Sequence, residues 1–126
     1  MTTFISILQA IVNGCGGGLG AALMGNDGIP IEEFVSPSPA AQELLSEEIG
    51  TAGAEFGRIL SEIAKASDAL SGGGVRETVV ALSCFTLIFR DVDDETFLVV
   101  AIAPDGNIGK ARYLIRRHLL VLRQEL

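Results

Sequence analysis

A chain of 126 residues with a net charge of -7 fits one folded domain, 1–126, that buries roughly two thirds of the surface exposed by its unfolded form. Hydrophobic residues make up 48 % and charged ones 20 %, which excludes a disordered chain and leaves an apolar small domain with a tendency to self-associate. Cys15 and Cys84 have neither metal-ligand nor redox-pair spacing, so both read as buried structural residues of a protein in a reducing cytoplasm.

Phe4, Ile5, Leu8, Ile11 and Val12 recur at helical spacing and predict an amphipathic helix ended by Gly14 and the glycines after it. No basic segment precedes these residues and no stretch reaches the roughly twenty apolar residues that span a bilayer, which argues against a signal peptide and against membrane insertion. Leu19 to Met24 and Ile29 to Phe34 read as strands around Gly25-Asn26-Asp27-Gly28, turn residues that tolerate positive φ. Pro30 has no N–H for a ladder and places the second strand at a sheet edge.

Between "SPSP" at 36–39 and "SGGG" at 71–74 the pattern predicts one long helix, with Ser38 as N-cap and Pro39 in the first turn. Its sheet-facing stripe is expected to hold Ala41, Leu45, Ile49, Ala52, Phe56, Ile59, Leu60, Ile63 and Leu70. An adjacent stripe of small residues, Gly50, Ala54, Gly57, Ser61 and Ala64, is the less ordinary feature. With Gly53, it puts three glycines in a helix interior, each costing about 1 kcal/mol relative to alanine, and the compensation expected is close packing of a second helix. The competing reading is a break near Gly50 or Gly53.

Val75 to Leu82, Phe85 to Val92 and Thr96 to Ala103 read as three further strands with connections short enough for hairpins. A closing helix follows, with Ile108, Ala111, Ile115, Leu119, Leu122 and Leu126 on one face. The order α-β-β-α-β-β-β-α describes an α+β sandwich on an antiparallel sheet. Residues 1–107 hold four bases against fifteen acids; residues 108–126 hold Lys110, Arg112, Arg116, Arg117 and Arg123 against Glu125 alone. Such a run is usually a solvated helix face, and a domain acidic overall with no aromatic-lined basic face does not suit nucleic acid.

The parts for catalysis are missing. Gly16, Gly18 and Ala21 match G-x-G-x-x-A, but a helix precedes and a strand follows, the reverse of a dinucleotide fingerprint, and "GNIGKAR" lacks P-loop spacing. "DVDDE" at 91–95 lacks the glycine and final bidentate acid of a calcium loop. His118, the one histidine, stands beside Arg117 with no second metal ligand near it. No catalytic residue, cofactor or metal is expected.

The hairpin "GAALMGNDGIPIEEF", the long helix, the meander and "FLVVAIAPDGNIGKARYLIRRHLLVL" together resemble the roadblock light-chain domain, in a size similar to bacterial MglB-type and MglC-type members. The resemblance covers nearly the whole chain; its markers are the D-G-I-P-I turn and the D-G-N-I-G-x-A-R helix start. It implies a five-stranded antiparallel sheet in the order 2-1-5-4-3, a long helix on one face, two terminal helices on the other, and dimerisation through strand 3 and the long helix. The interface so implied comprises Gly50, Ala54, Gly57, Ser61 and Ala64 on the helix, and Val75, Glu77, Val79 and Ala81 on a rim without proline that would be sticky if left alone.

By the same resemblance the protein is a non-enzymatic dimeric adaptor or regulator of a Ras-like small GTPase in bacterial polarity or motility, with GTPase activation as the finer form. Its GTPase-facing surface would be Glu55, Arg58, Glu62 and Lys65, and Asn26, Asp27 and Ile29 would contact a roadblock paralogue. Arg58 is the sole arginine there for phosphoryl-transfer chemistry, although one arginine on an amphipathic helix ordinarily serves as a solvated charge. The alternative is a small-ligand-sensing domain of similar layers, which requires a sizeable pocket between sheet and helix.

Overall fold

The computed structural model describes residues 3–45 and 49–126. Helix α1, Phe4–Gly14, starts on a reciprocal capping box in which the Thr3 hydroxyl accepts from the Ser6 N–H and Ser6 Oγ accepts from the Thr3 N–H. Two orphan donors of the first turn are thereby satisfied. Ile7, Leu8, Ile11 and Val12 form its buried face.

Strands β1 (Gly18–Gly25) and β2 (Pro30–Val35) form the expected hairpin. In its turn only Gly28 adopts positive φ, at 85°, while Asp27 Oδ1 accepts the Ile29 N–H at 3.0 Å. Pro30 lies opposite Met24 across a register shift, so β2 is an edge strand blunted by both a proline and an irregularity. Strands β3 (Glu77–Ala81), β4 (Thr86–Asp91) and β5 (Thr96–Ile102) make the meander, and the sheet order is β2-β1-β5-β4-β3, antiparallel throughout. All seven residues of β5, the middle strand, are buried.

Helix layers cover the two faces. On one face α1 and the closing helix α4 (Ile108–Glu125) enclose Leu23, Ile88, Leu98 and Val100 with Ile115 and Leu122. On the other, Ala41 and Ile49 enclose Met24, Leu87, Phe89, Phe97 and Val99. The α+β sandwich expected from the element order is the architecture found.

The second helix layer departs from the expectation in continuity and in rotation. Ser38 does cap a helix, its Oγ accepting from the Ala41 N–H at 3.2 Å, but α2 (Pro39–Leu44) stops where Leu45 leaves helical geometry, and α3 runs Ile49–Asp68. The part of the anticipated single helix at 46–48 lies outside the described residues. Helix α2 stops at Leu44 and α3 starts at Ile49, so the interruption falls just before Gly50, close to where the competing reading placed a break, while Gly53 and Gly57 sit inside α3.

Rotation is the larger difference. Gly50 and Gly53 are buried, whereas Ile59 is 51 %, Ile63 38 % and Leu70 81 % exposed. A Cβ on Gly50 would meet the Glu33 carboxylate and Pro30, and one on Gly53 would meet Met24 at 2.9 Å. The small-residue stripe therefore compensates its helix cost by letting α3 lie close on β2 and β1 of its own chain. Ile59 and Ile63, assigned to the core, are turned outward as a result, while Ile49 of the same stripe is buried and Phe56 and Leu60 pack against the core as expected.

Candidate functional site

Strand β3 pairs with β4 on one side and is the last strand of the sheet. The Asp91 N–H donates to the Arg76 carbonyl and the Leu82 N–H to the Phe85 carbonyl, so the alternation of an antiparallel ladder turns the intervening backbone groups of Glu77, Val79 and Ala81 to the open edge. Unlike β2, this rim has no proline and no shift of register. It is the one sheet edge, among the described residues, whose geometry invites a further strand.

Beside the rim the α2/α3 layer is incomplete. α3 crosses from Pro30 and Glu33 over Met24 to Phe97, which stands 3.6 Å from where a Gly57 Cβ would lie. Phe56, Leu60, Val80 and Phe85 are only partly buried against this core. A groove of about 320 Å³ opens between the C-terminal half of α3 and the sheet, walled by Gly57, Leu60, Ser61 and Ala64 on one side and by Val75, Thr78 and Phe89 on the other.

The two halves of the anticipated interface therefore part company. Gly50 and Gly57 face the chain's own sheet and Ala54 stands by Gly28 of the hairpin turn, so the N-terminal half of the small-residue stripe is already occupied. Ser61 is exposed and Ala64 half-buried at the groove, next to Val75. Close packing of α3 onto the sheet was not legible, because adjacent stripes in one helix differ only in rotation. The signal available was the run of glycines opposite the proline-bearing edge strand.

Glu55, Arg58, Glu62 and Lys65 lie together on the outward face of α3. They form two i,i+3 pairs, Arg58 Nη2 to Glu55 Oε2 at 3.4 Å and Lys65 Nζ to Glu62 Oε1 at 3.2 Å, with Arg58 81 % exposed. Such exposed pairs stabilise little and leave the face free to exchange partners. In the hairpin turn, Asn26 is committed within the chain: its N–H donates to the Glu95 carbonyl and its Nδ2 to the Asp94 carbonyl, both at 2.8 Å. Asp27 caps the turn, and Ile29 projects 63 % exposed.

Glu77 forms a cluster that the sequence did not foreshadow. Its Oε1 forms an ion pair with Arg112 Nε of α4 at 2.6 Å and its Oε2 lies 3.8 Å from Arg90 Nη1, tying the open rim to the terminal-helix layer. The groups weighed for chemistry have structural occupations. Asp93 Oδ1 accepts from the Glu95 N–H and the Thr96 hydroxyl, and these bonds hold its carboxyl below the usual range. His118 Nδ1–H donates to the Leu114 carbonyl at 2.8 Å.

Cys15 is buried, with its thiol pushed up by desolvation, but Cys84 is exposed in the β3–β4 turn, correcting the expectation that both are buried. The turn joins the last two strands at the sheet margin, where no helix covers it. No group of three metal-ligating side chains occurs among the described residues, and none of the described helices is long and apolar enough to cross a membrane.

A 2-1-5-4-3 antiparallel sheet between a terminal-helix layer and a long-helix layer, with one protected rim and one open rim, defines a domain of the roadblock type. MglC from Myxococcus xanthus is 31 % identical over 99 % of this chain and 100 % of its own, with a TM-score of 0.69. A Roadblock/LC7 domain from Streptomyces avermitilis superimposes over 98 % of each chain with a TM-score of 0.78 at 17 % identity. An MglB described with a tetrameric arrangement matches 95 % of this chain and 85 % of its own, with a TM-score of 0.72 at 17 % identity. No protein-family model matches the sequence, and no curated protein matches it. The chain belongs to the roadblock family, among its MglB/MglC-like members.

Proposed function

We propose that the protein is a non-enzymatic, self-associating adaptor that docks a Ras-like small GTPase, in the setting of bacterial polarity or motility that MglB-like and MglC-like relatives suggest. The observation that carries this reading is the open β3 rim beside an incompletely covered helix layer. Antiparallel pairing of β3 with the same strand of a second copy continues the sheet across a twofold axis. The second copy's α3 then covers Phe56, Val80 and Phe85 together with the outward Ile59 and Ile63.

The interface proposed keeps Ser61, Ala64, Val75, Glu77, Val79 and Ala81, adds Ile59 and Ile63, and drops Gly50, Ala54 and Gly57, which face the sheet and the hairpin turn of the same chain. Two carboxylates placed in such an apolar contact are expected to weaken association at least about a hundredfold. Sedimentation equilibrium at micromolar concentration should therefore give a dimer for the wild type and a monomer for Ile59→Asp/Ile63→Asp. A monomeric wild type overturns the reading.

Glu55, Arg58, Glu62 and Lys65 supply the surface proposed for the GTPase. GTP hydrolysis by the cognate GTPase, with and without this protein, separates the two forms of the function. Binding without acceleration marks an adaptor; acceleration marks an activator. The adaptor form is favoured because Arg58 is a solvated charge whose exposed pair with Glu55 does little to hold it in one orientation, so Arg58→Ala is expected to leave the hydrolysis rate unchanged.

A roadblock paralogue is proposed to contact the hairpin turn on the other margin. With Asn26 bonded internally and Asp27 capping the turn, Ile29 offers the apolar contact. Co-expression and pull-down should show a larger loss for Ile29→Ala than for Asp27→Ala. Unchanged recovery of both variants counts against the contact.

A further inference from the structure

The exposed ridge of α4 carries Lys110, Tyr113, Arg117 and Leu120 at i, i+3, i+7 and i+10, with Arg116 alongside. Tyr113 is 54 % and Leu120 62 % exposed between the cations. Arg112 is taken by Glu77, and Arg123 Nε donates to the Val92 carbonyl at 2.6 Å. Lys110, Arg116 and Arg117 have no carboxylate within ion-pair distance among the described residues. The neighbouring α1 is uncharged, and the sequence has no charged side chain before Asp27.

This cationic layer lies on the opposite face of the sheet from α3, which bears Glu55 and Glu62. The sheet lies between them, and with helix diameters of about 10 Å the separation is on the order of 20 Å. The Debye length at physiological salt is about 8 Å, so the far acids do little to cancel the field at α4. Of the nearer acids, Glu77 is paired with Arg112, and Asp93 and Glu125 lie by Arg123 in the last turn, so a chain with an overall charge of -7 presents a cationic ridge over Lys110, Arg116 and Arg117.

We propose that the exposed face of α4 docks on an anionic phospholipid surface, lying on it without entering it. The sign of the charge selects an anionic partner, and the shape selects a broad one: the groove described above lies along α3, while α4 offers a ridge beside the uncharged α1. Tyr113 and Leu120 project from that ridge, where an amphipathic ring and an aliphatic tip reach the headgroup level. Each cation brought to such a surface raises partition about fivefold. The docking face is separate from β3 and α3, so it stands or fails independently of the dimer and of the GTPase surface.

Co-sedimentation of the full chain with vesicles of phosphatidylcholine, with and without phosphatidylglycerol, tests the proposal. Binding is expected only to the anionic vesicles, falling as salt rises. Arg116→Glu/Arg117→Glu should lower it at least about tenfold, and Tyr113→Ala/Leu120→Ala several-fold at unchanged charge. Melting temperature and sedimentation should stay as in the wild type for both pairs, because none of the four side chains is buried; Arg116→Gln/Arg117→Gln repeats the comparison without reversed charge. Equal binding to both vesicle types, no binding to either, or full retention by the reversed variant overturns the proposal. Capture of soluble poly-glutamate without vesicle binding overturns it too, and assigns the face to an acidic protein segment.

Discussion

Replacing Phe89 with alanine is expected to lower the unfolding free energy by about 3 kcal/mol, read as a fall in the urea midpoint at unchanged slope. Phe89 is 2 % exposed and centres an aromatic row, tilted against Phe56 at 5.4 Å and Phe97 at 6.3 Å between ring centroids. Truncation removes the contact that joins α3 to β4 and β5. The loss should fall at the low end of the range for buried phenylalanine, because the groove along Phe89 lets water enter the space left behind. Gln9→Ala, on the exposed face of α1, should change stability by less than about 0.5 kcal/mol. A Phe89→Ala loss as small as that of Gln9→Ala would show that the row does not hold the helix.

Gly18→Ala should be at least as costly, about 3 kcal/mol, lowering the melting temperature by roughly 10 °C. A Cβ there would run into the Val12 carbonyl group and stand 2.9 Å from the Val12 Cα, all backbone of α1, so the helix itself would have to move. Gly53→Ala makes the informative comparison. Its Cβ meets the Met24 side chain at 2.9 to 3.1 Å, and a flexible thioether can swing aside for about 1 kcal/mol. Equal melting temperatures for the two variants would remove the distinction between a backbone obstacle and a side-chain one.

These two sites mark what sequence reasoning reaches. Phe89 lies in a run readable as a buried strand, and the burial of Leu87, Ile88 and Phe89 together follows from helices on both faces of the sheet. Gly18 belongs to "GCGGGLGA", whose glycines looked like a phosphate cradle in reverse order. Their use is steric: Gly18 clears α1, and Gly17 stands 2.8 Å, by its missing Cβ, from Gly106 of the loop that leads to α4. Nothing within either segment announces the other, because the two are brought together only by pairing β1 with β5.

The candidate site divides along the same line. That Pro30 marks one edge was readable from chemistry local to the residue, a missing N–H. The alternation of Glu77, Val79 and Ala81 along the other rim was equally readable, since side-chain and backbone directions in a strand repeat every two residues. The Glu77–Arg112 contact spans the sheet edge and the last helix, and no spacing rule connects residues so far apart in the chain.

What the sequence determined by itself was therefore the order of the elements, apart from the division of the long helix into α2 and α3, the protected edge and the segregation of charge into the last helix. Each depends on local backbone chemistry or on a periodicity carried within one element. Tertiary structure alone decided which side of α3 meets the sheet. Neighbouring stripes on a helix are separated by a modest turn about its axis, and hydrophobicity alone favours Ile59 and Ile63; close approach to β2 and β1 instead sets α3 down on Gly50 and Gly53 together with Ile49, Phe56 and Leu60. That choice leaves Ile59 and Ile63 outside, beside a strand whose outer hydrogen-bonding groups have no partner among the described residues.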